Sequence, residues 1–527
     1  MKITPNVFEA YLKCPMKCWL RATGESSAGN TYAEWVRAKN DSYRTTETER
    51  LVAKSPNDDL LLSPGMENSK TAKWRLTSGF VVQAQMDSCF VESELHAVER
   101  MPPEGRGKAA QLIPIRFVFT NKLDKDDKLL LAFDAFALSK SLGREITLGK
   151  IIHGDDHAPQ KVKTAAQAGE VRKHVEKIAT LLSSPTPPEL VLNRHCSECE
   201  FQARCRQKAV EKDDLSLLSG MSKNERNRHR SKGIFTVTQL SYTFRPRRTP
   251  KRAKNPATPR YLALQALAIR ENTVFIHGTP TLPQSKTQVY LDIEGLPDRD
   301  SYYLIGALVV SDGTETFHSF WADALSTQPT VFAQFAETIS QYEDFRIVHF
   351  GDYDTAALKR MKSCLSESHQ HQIDMILGKC TNLLSAVYPH VYFPTYSNSL
   401  KKIGQFLGCI WSPENVTGLD CISWRTEWEC QGSSGLKARL VAYNQADCAA
   451  LRRLTEFISG QTCEPRLDSK SALLPGTKVM RTADLEKERP RKCMFGRREY
   501  ALDDFKHVVK CAYFDYQREK IGEVASI

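Results

Sequence analysis

The chain has 527 residues, 41% of them hydrophobic and 26% charged, which excludes a fibrous, disordered or membrane-embedded protein and, at this length, implies two to three domains. Lys and Arg number 73 against 62 Asp and Glu, and the net charge of +11 favours a polyanionic partner, nucleic acid above all. Met1 leads into charged helical sequence without an apolar signal core, no apolar run reaches spanning length, and fifteen cysteines without an export signal read as reduced thiols or metal ligands, which together point to the cytoplasm and away from a membrane.

Residues 1–215 are expected to form the first unit. An N-terminal helix is followed by a charged, irregular stretch, strand candidates between about 80 and 120, and a long helix over 126–142. A strand at Lys150–His153 and a helix over about 164–182 come next. The unit ends in His195-Cys196-Ser197-Glu198-Cys199-Glu200-Phe201-Gln202-Ala203-Arg204-Cys205, with two and then five residues between the cysteines, while Cys14 lies far upstream in Tyr11-Leu12-Lys13-Cys14-Pro15. Clustered thiolates suit a soft metal or an iron–sulfur cluster, with inert buried thiols as the plain alternative. This split arrangement resembles the iron–sulfur RecB-type nucleases, including those of CRISPR adaptation. The resemblance implies a [4Fe-4S] cluster on Cys14, Cys196, Cys199 and Cys205, with zinc as the competitor and Cys18 as a substitute for Cys14. A RecB-type core of the PD-(D/E)XK class also carries an Asp at a strand end and a Glu-x-Lys on the next strand. Here those segments read Glu94-Leu95-His96-Ala97-Val98-Glu99-Arg100 and Pro114-Ile115-Arg116-Phe117, so the module is expected to have lost cleavage, with Glu99 and Arg116 forming either a remnant site or an ordinary salt bridge.

Residues 216–242 read as a short helical segment around Gly233-Ile234-Phe235-Thr236-Val237, either a helix-hairpin-helix turn that grips phosphates or a plain linker pair. In 243–284, Arg245, Arg247, Arg248, Lys251 and Arg252 stand among prolines, which reads as an extended basic linker, either a spacer or an electrostatic strap for nucleic acid.

From Gln288 to Leu365 the pattern is strand, strand, helix, strand, helix, as in a mixed α/β sheet. In Val289-Tyr290-Leu291-Asp292-Ile293-Glu294-Gly295 the period of two puts both acids on one face of a largely buried strand, where they repel unless a cation lies between them. Arg346-Ile347-Val348-His349-Phe350-Gly351 reads as a second buried strand leading to a helix that opens at Asp354, with Asp352 as its competitor for the third acidic position. In Leu440-Val441-Ala442-Tyr443-Asn444-Gln445-Ala446-Asp447, helical i, i+4 spacing puts Tyr443 and Asp447 together. This ordered set resembles the DEDDy branch of the ribonuclease H-like 3′-5′ exonuclease superfamily. Phe393-Pro394-Thr395-Tyr396-Ser397-Asn398-Ser399-Leu400-Lys401, followed by Ile403 and Leu407-Gly408, is similar to the helix of its YprB-type domains; the resemblance covers about residues 285–458. It implies that Asp292, Glu294, Asp354 and Asp447 hold two Mg²⁺ or Mn²⁺ ions about 4 Å apart and that Tyr443 orients the attacking water. Residues 459–527 are a basic tail, with a helical pattern over Cys511–Lys520.

The expectation is therefore an α/β protein: a RecB-like module with a cysteine cluster, joined to a ribonuclease H-like mixed-sheet domain. It would hydrolyse phosphodiester bonds of DNA or RNA, acting on a single-stranded end. The alternative is a catalytically inactive nucleic-acid-binding adaptor with a structural cluster.

Overall fold

The computed structural model describes residues 1–488 except 28, 57–58, 64–73, 87–88, 103–109, 245–260, 415 and 463–477. After strand β1 (Lys2–Ile3), the expected single N-terminal helix is two, α1 (Pro5–Lys13) and α2 (Pro15–Ala22). The break falls at Cys14, held extended before Pro15, which disfavours helical backbone in the residue ahead of it. The stretch read as irregular contains helix α3 (Thr31–Lys54), capped by the Asn30 side chain, which accepts from Ala33 N–H. Glu47 is its one fully buried residue, so α3 shows little of the apolar periodicity that marks an amphipathic helix.

Strands β2 (Leu60–Leu62), β3 (Leu76–Gln85), β4 (Phe90–Met101) and β5 (Gln111–Val118) precede helix α4 (Lys125–Leu142), which an Asp124–Asp127 capping box opens and left-handed Gly143 ends. Strands β6 (Leu148–His153) and β7 (Ala158–Lys163) complete a seven-stranded sheet ordered β2-β3-β4-β5-β6-β7, with β1 beside β4. Helices α1, α4 and α5 (Ala168–Ser183) bury one face around Phe8, Phe80 and Phe133, and α3 lays Tyr43 and Leu51 on the other. Glu99 and Arg116 do not form the remnant pair considered above. Glu99 faces Lys150 at 2.5 Å, while the Arg116 guanidinium makes two 2.9 Å bonds to Asp134, whose Oδ1 also accepts from Ser93. A lysine's short reach is thus replaced by a forked cation committed to a buried structural partner.

Helices α6 (Gln202–Glu211), α7 (Lys223–Arg230) and α8 (Val237–Ser241) follow, the last two joined through a turn with Gly233 at φ +76°. Arg245, Arg247, Arg248, Lys251 and Arg252 lie outside the described residues. The rest of the expected linker is no free spacer: it contains helix α9 (Leu262–Glu271) and strand β8 (Thr273–Ile276).

The second unit opens with three strands, one more than expected, β9 (Thr287–Leu296), β10 (Ser301–Ser311) and β11 (Thr314–Trp321). Helix α10 (Gln328–Ser340), strand β12 (Phe345–His349), helices α11 (Tyr353–Lys362) and α12 (Glu367–Gly378), strand β13 (Cys380–Asn382), helix α13 (Leu383–Val387) and strand β14 (Val391–Tyr392) follow. Last come α14 (Leu400–Phe406), α15 (Gly418–Gln431) and α16 (Ser434–Thr462). The sheet runs β11-β10-β9-β12-β13, with β10 antiparallel to both neighbours and β12 parallel to β9 and β13. Residues around Phe332, Phe335 and Ile373 fill one face, and those around Ile403, Trp411 and Leu451 the other. The region read as a tail begins inside α16 and contributes strand β15 (Lys478–Arg481), which pairs with β8, and helix α17 (Thr482–Glu488). Cys511–Lys520 lies outside the described residues.

The units meet at the β9–β10 turn and at the start of α15. Asp298 accepts from the backbone N–H groups of Asn121 and Lys122 at 2.9 and 3.0 Å, Arg299 reaches Asp155 at 2.8 Å, and Thr31 donates to Asp420 at 2.7 Å.

Asp134→Ala would leave the Arg116 charge buried without a partner and should cost about 3–5 kcal/mol, read as a lower unfolding midpoint in denaturant. The apolar double variant Arg116→Met/Asp134→Leu should recover most of that loss; a single variant as stable as the parent would show that the pair does not hold the sheet.

Candidate metal centre

Strand β9 alternates as its sequence implies. Val289, Leu291 and Ile293 point into the core with α10, while Asp292 and Glu294 emerge on the opposite side, under α16. The carboxylates of Asp292, Glu294 and Asp447 each place an oxygen within 4.8 Å of the others. Asp354 is added by topology. Parallel pairing sets β12 beside β9, the chain turns at Gly351 (φ +86°), and α11 then presents Asp354, whose Oδ1 accepts from Ile293 N–H at 2.9 Å. The backbone amide between the two β9 acids thus tethers the third, while Asp354 is not among the three oxygens in the tightest group. Asp352 is exposed and accepts from Asn382 at 3.1 Å instead.

Burial is the main force on these acids. It lifts Asp292 to about 6, against the pull of an Asn444 hydrogen bond, and it drives Glu294, Asp354 and Asp447 well above the usual carboxylate range, with their mutual repulsion adding to the rise. Trp411 Nε1–H donates to Asp447 Oδ1 at 2.9 Å, and that bond and the nearby Lys401 ammonium oppose the rise there. Tyr443 is pushed far above its ordinary value by burial and then by Asp447, so its phenol stays protonated. An all-oxygen set of hard anions that cannot be ionised together without added positive charge fits Mg²⁺ or Mn²⁺.

Three neighbours were not assigned from sequence. Asn444 Nδ2 donates to Asp292 Oδ2 at 2.6 Å and to its backbone oxygen at 3.0 Å. Trp411 holds Asp447. Lys401 places its ammonium 5.7 Å from the ring centres of both Trp411 and Tyr443, with no hydrogen-bond partner for Nζ. One signal was available: Gly306 interrupts the apolar run Tyr302–Val310, and a glycine inside a strand marks close approach of another group.

The expected cysteine set also converges. Cys14, Cys196, Cys199 and Cys205 line one pocket with Lys17, Phe201 and Gln202, whereas Cys18 is buried in the core of the first unit. Burial, then the neighbouring thiols Cys199, Cys14 and Cys196, push Cys205 up to about 11. Gathered thiols that resist ionising one by one are suited to a shared cation.

Residues 289–459 match the family model RNase_H_2, described as RNase_H superfamily. No curated protein matches the chain. The matched region is a ribonuclease H-like domain within a mixed α/β chain, and all five of the acidic and tyrosine site residues fall inside it. Such domains commonly act as nucleases with divalent metal ions. No described helix is long and apolar enough to cross a membrane.

An acid whose pKa is raised by folding contributes stability below its unfolded value of about 4 and loses it as pH climbs through the folded value. For Asp292 that upper bound is about 6. In chelator, Asp292→Asn should therefore stabilise the protein at pH 8 by of order 1–2 kcal/mol, less than the full linkage because Asp292 keeps some contact with water, and the gain should shrink at pH 5. Melting curves at the two pH values check this; an equal effect at both would show that Asp292 is not strained by its charge.

Proposed function

We propose that residues 285–458 are a DEDDy-type, YprB-like exonuclease domain that hydrolyses phosphodiester bonds at a single-stranded nucleic-acid end. The observation that carries this is the convergence of three carboxylates within 4.8 Å, with Asp354 tethered to the same strand and Tyr443 beside Asp447. Asp292, Glu294, Asp354 and Asp447 would hold two Mg²⁺ or Mn²⁺ ions, which when bound supply activation of water and stabilisation of the leaving oxygen. Tyr443, protonated throughout the working range, donates a hydrogen bond that orients the water and does not take its proton. Lys401, beside Asp447 and with its ammonium unpartnered, is placed to meet a phosphate oxygen. Trp411 keeps the Asp447 carboxylate from rotating.

In the same proposal, the first unit is a RecB-like module whose four cysteines hold a [4Fe-4S] cluster joining its two ends, with zinc as the alternative. The observation favouring it is that Cys14 and Cys205, at opposite ends of the unit, line one pocket. With Arg116 committed to Asp134, this module guides nucleic acid and does not cut it.

Incubating the protein with end-labelled single strands and Mn²⁺ should yield products that chelator suppresses. Asp292→Asn and Asp447→Asn should each reduce cleavage by at least about 100-fold while strand binding persists. Undiminished cleavage by those variants would place the activity elsewhere, and no cleavage by the parent would favour a binding adaptor.

Protein purified without oxygen should be brown and should lose its visible absorbance on Cys199→Ser. A colourless protein carrying zinc would overturn the iron–sulfur assignment.

A further inference from the structure

We propose that Asn444 is a positioning residue that locks the Asp292 carboxylate for metal binding, and that position 306 is glycine because a larger residue would evict Asn444. The inference rests on the metal-dependent reading of the acidic site.

Asn444 follows Tyr443 on α16 and is fully buried. Its amino group faces two acceptors, the Asp292 backbone oxygen at 3.0 Å and Oδ2 at 2.6 Å, and this fixes which end of the amide is nitrogen, since a carbonyl there would meet only other acceptors. Asp292 therefore has its backbone and one carboxylate oxygen held by the same side chain, which stops rotation of the group. The other end of Asn444 is less comfortable: Oδ1 is buried and has no hydrogen-bond partner. A buried carbonyl left in that state is destabilising, because it has given up water and gained no donor. A side chain chosen only for packing would avoid that cost, since leucine has the same branched outline and no polar atoms. The amide makes sense here through what its nitrogen does to Asp292.

Gly306 supplies the second observation. It pairs directly with Asp292 across β9 and β10, and a Cβ built on it would stand 1.7 Å from Asn444 Oδ1 and 2.7 Å from Cγ. Neither neighbour can give way easily, because Asn444 is fixed on a long helix and Gly306 lies in the middle of a strand. The helix can bring Tyr443 and Asp447 down onto the β9 acids only where the sheet is bare.

The test is Mn²⁺ titration calorimetry and metal-free melting of the full chain. The parent should bind Mn²⁺ and Asp292→Asn should bind it far less well. Asn444→Leu should melt close to the parent without metal yet bind Mn²⁺ about 10–100-fold more weakly. Gly306→Ala should lose both stability and affinity, and adding Asn444→Ala to it should restore the melting temperature without restoring affinity. Affinity within about two-fold of the parent in Asn444→Leu, or in the double variant should the leucine variant not fold, would overturn the positioning role while leaving the nuclease reading intact. Unchanged melting and affinity in Gly306→Ala would overturn the account of the glycine. A parent that binds no Mn²⁺, or binds it equally well after Asp292→Asn, would remove the nuclease reading and this proposal with it.

Discussion

Electrostatic crowding is the constraint around which the second unit is arranged. Four carboxylates share a space from which water is largely excluded, and Asp292 raises the pKa of the other three. A globular protein has little reason to accept such strain for stability alone, because apolar side chains would fill the same space at lower free energy. Strain of this kind concentrates where charge is to be neutralised by something bound later. The scaffold does not dilute the repulsion; it sharpens it by fixing the acids in place. Asp354 is tied to the β9 backbone, Asp447 to Trp411 and Asp292 to Asn444.

The fixing groups have a common character. Each donates a hydrogen bond without carrying a full charge, so each orients an oxygen without neutralising it as an ion pair would. Lys401, whose charge is felt by Asp447, makes no ion pair with it and instead lies by two aromatic rings, with burial lowering its pKa. A direct Lys401–Asp447 salt bridge would quench the negative potential on which metal capture depends; an ammonium held back leaves both the acids and the cation available, one for metal and the other for phosphate.

The acids were legible because their logic is local. A period of two puts Asp292 and Glu294 on one face, a period of 3.6 brings Tyr443 and Asp447 together, and Asp354 opens a helix after a buried strand. Asn444 was hidden because its partner, Asp292, is 152 residues away and nothing in the helix pattern separates a buried asparagine from an exposed one. Helix α3 escaped because its charged and hydroxyl residues cover nearly every side and its one buried position is a glutamate. Strand β11 escaped for a related reason: as an edge strand it reads Thr314-Glu315-Thr316-Phe317-His318-Ser319, partly exposed along its length and without a clean apolar face. The expected linker misled because its basic first half drew attention from Leu262–Glu271, an apolar segment that packs as helix α9.

The contact between the units bears on how far either can be understood alone. The turn gripped by the first unit, Pro297 to Asp300, begins three residues after Glu294, and its aspartates accept from Asn121 and Lys122, in the segment between β5 of the other sheet and α4. Arg299 extends the link from Asp155 of the first unit to Glu429 on α15. Removing residues 1–215 would therefore strip Asp298 of its partners and take one partner each from Arg299 and Asp300, which keep Glu429 and Arg360, at the end of the strand that carries the metal ligands. A fragment that cleaves poorly would then report a loosened Glu294 as readily as the loss of a substrate-binding surface. Separating those two effects requires changes that keep both units and alter only their contact, with Asp298 the natural choice because its oxygens engage backbone amides and no other charge depends on them.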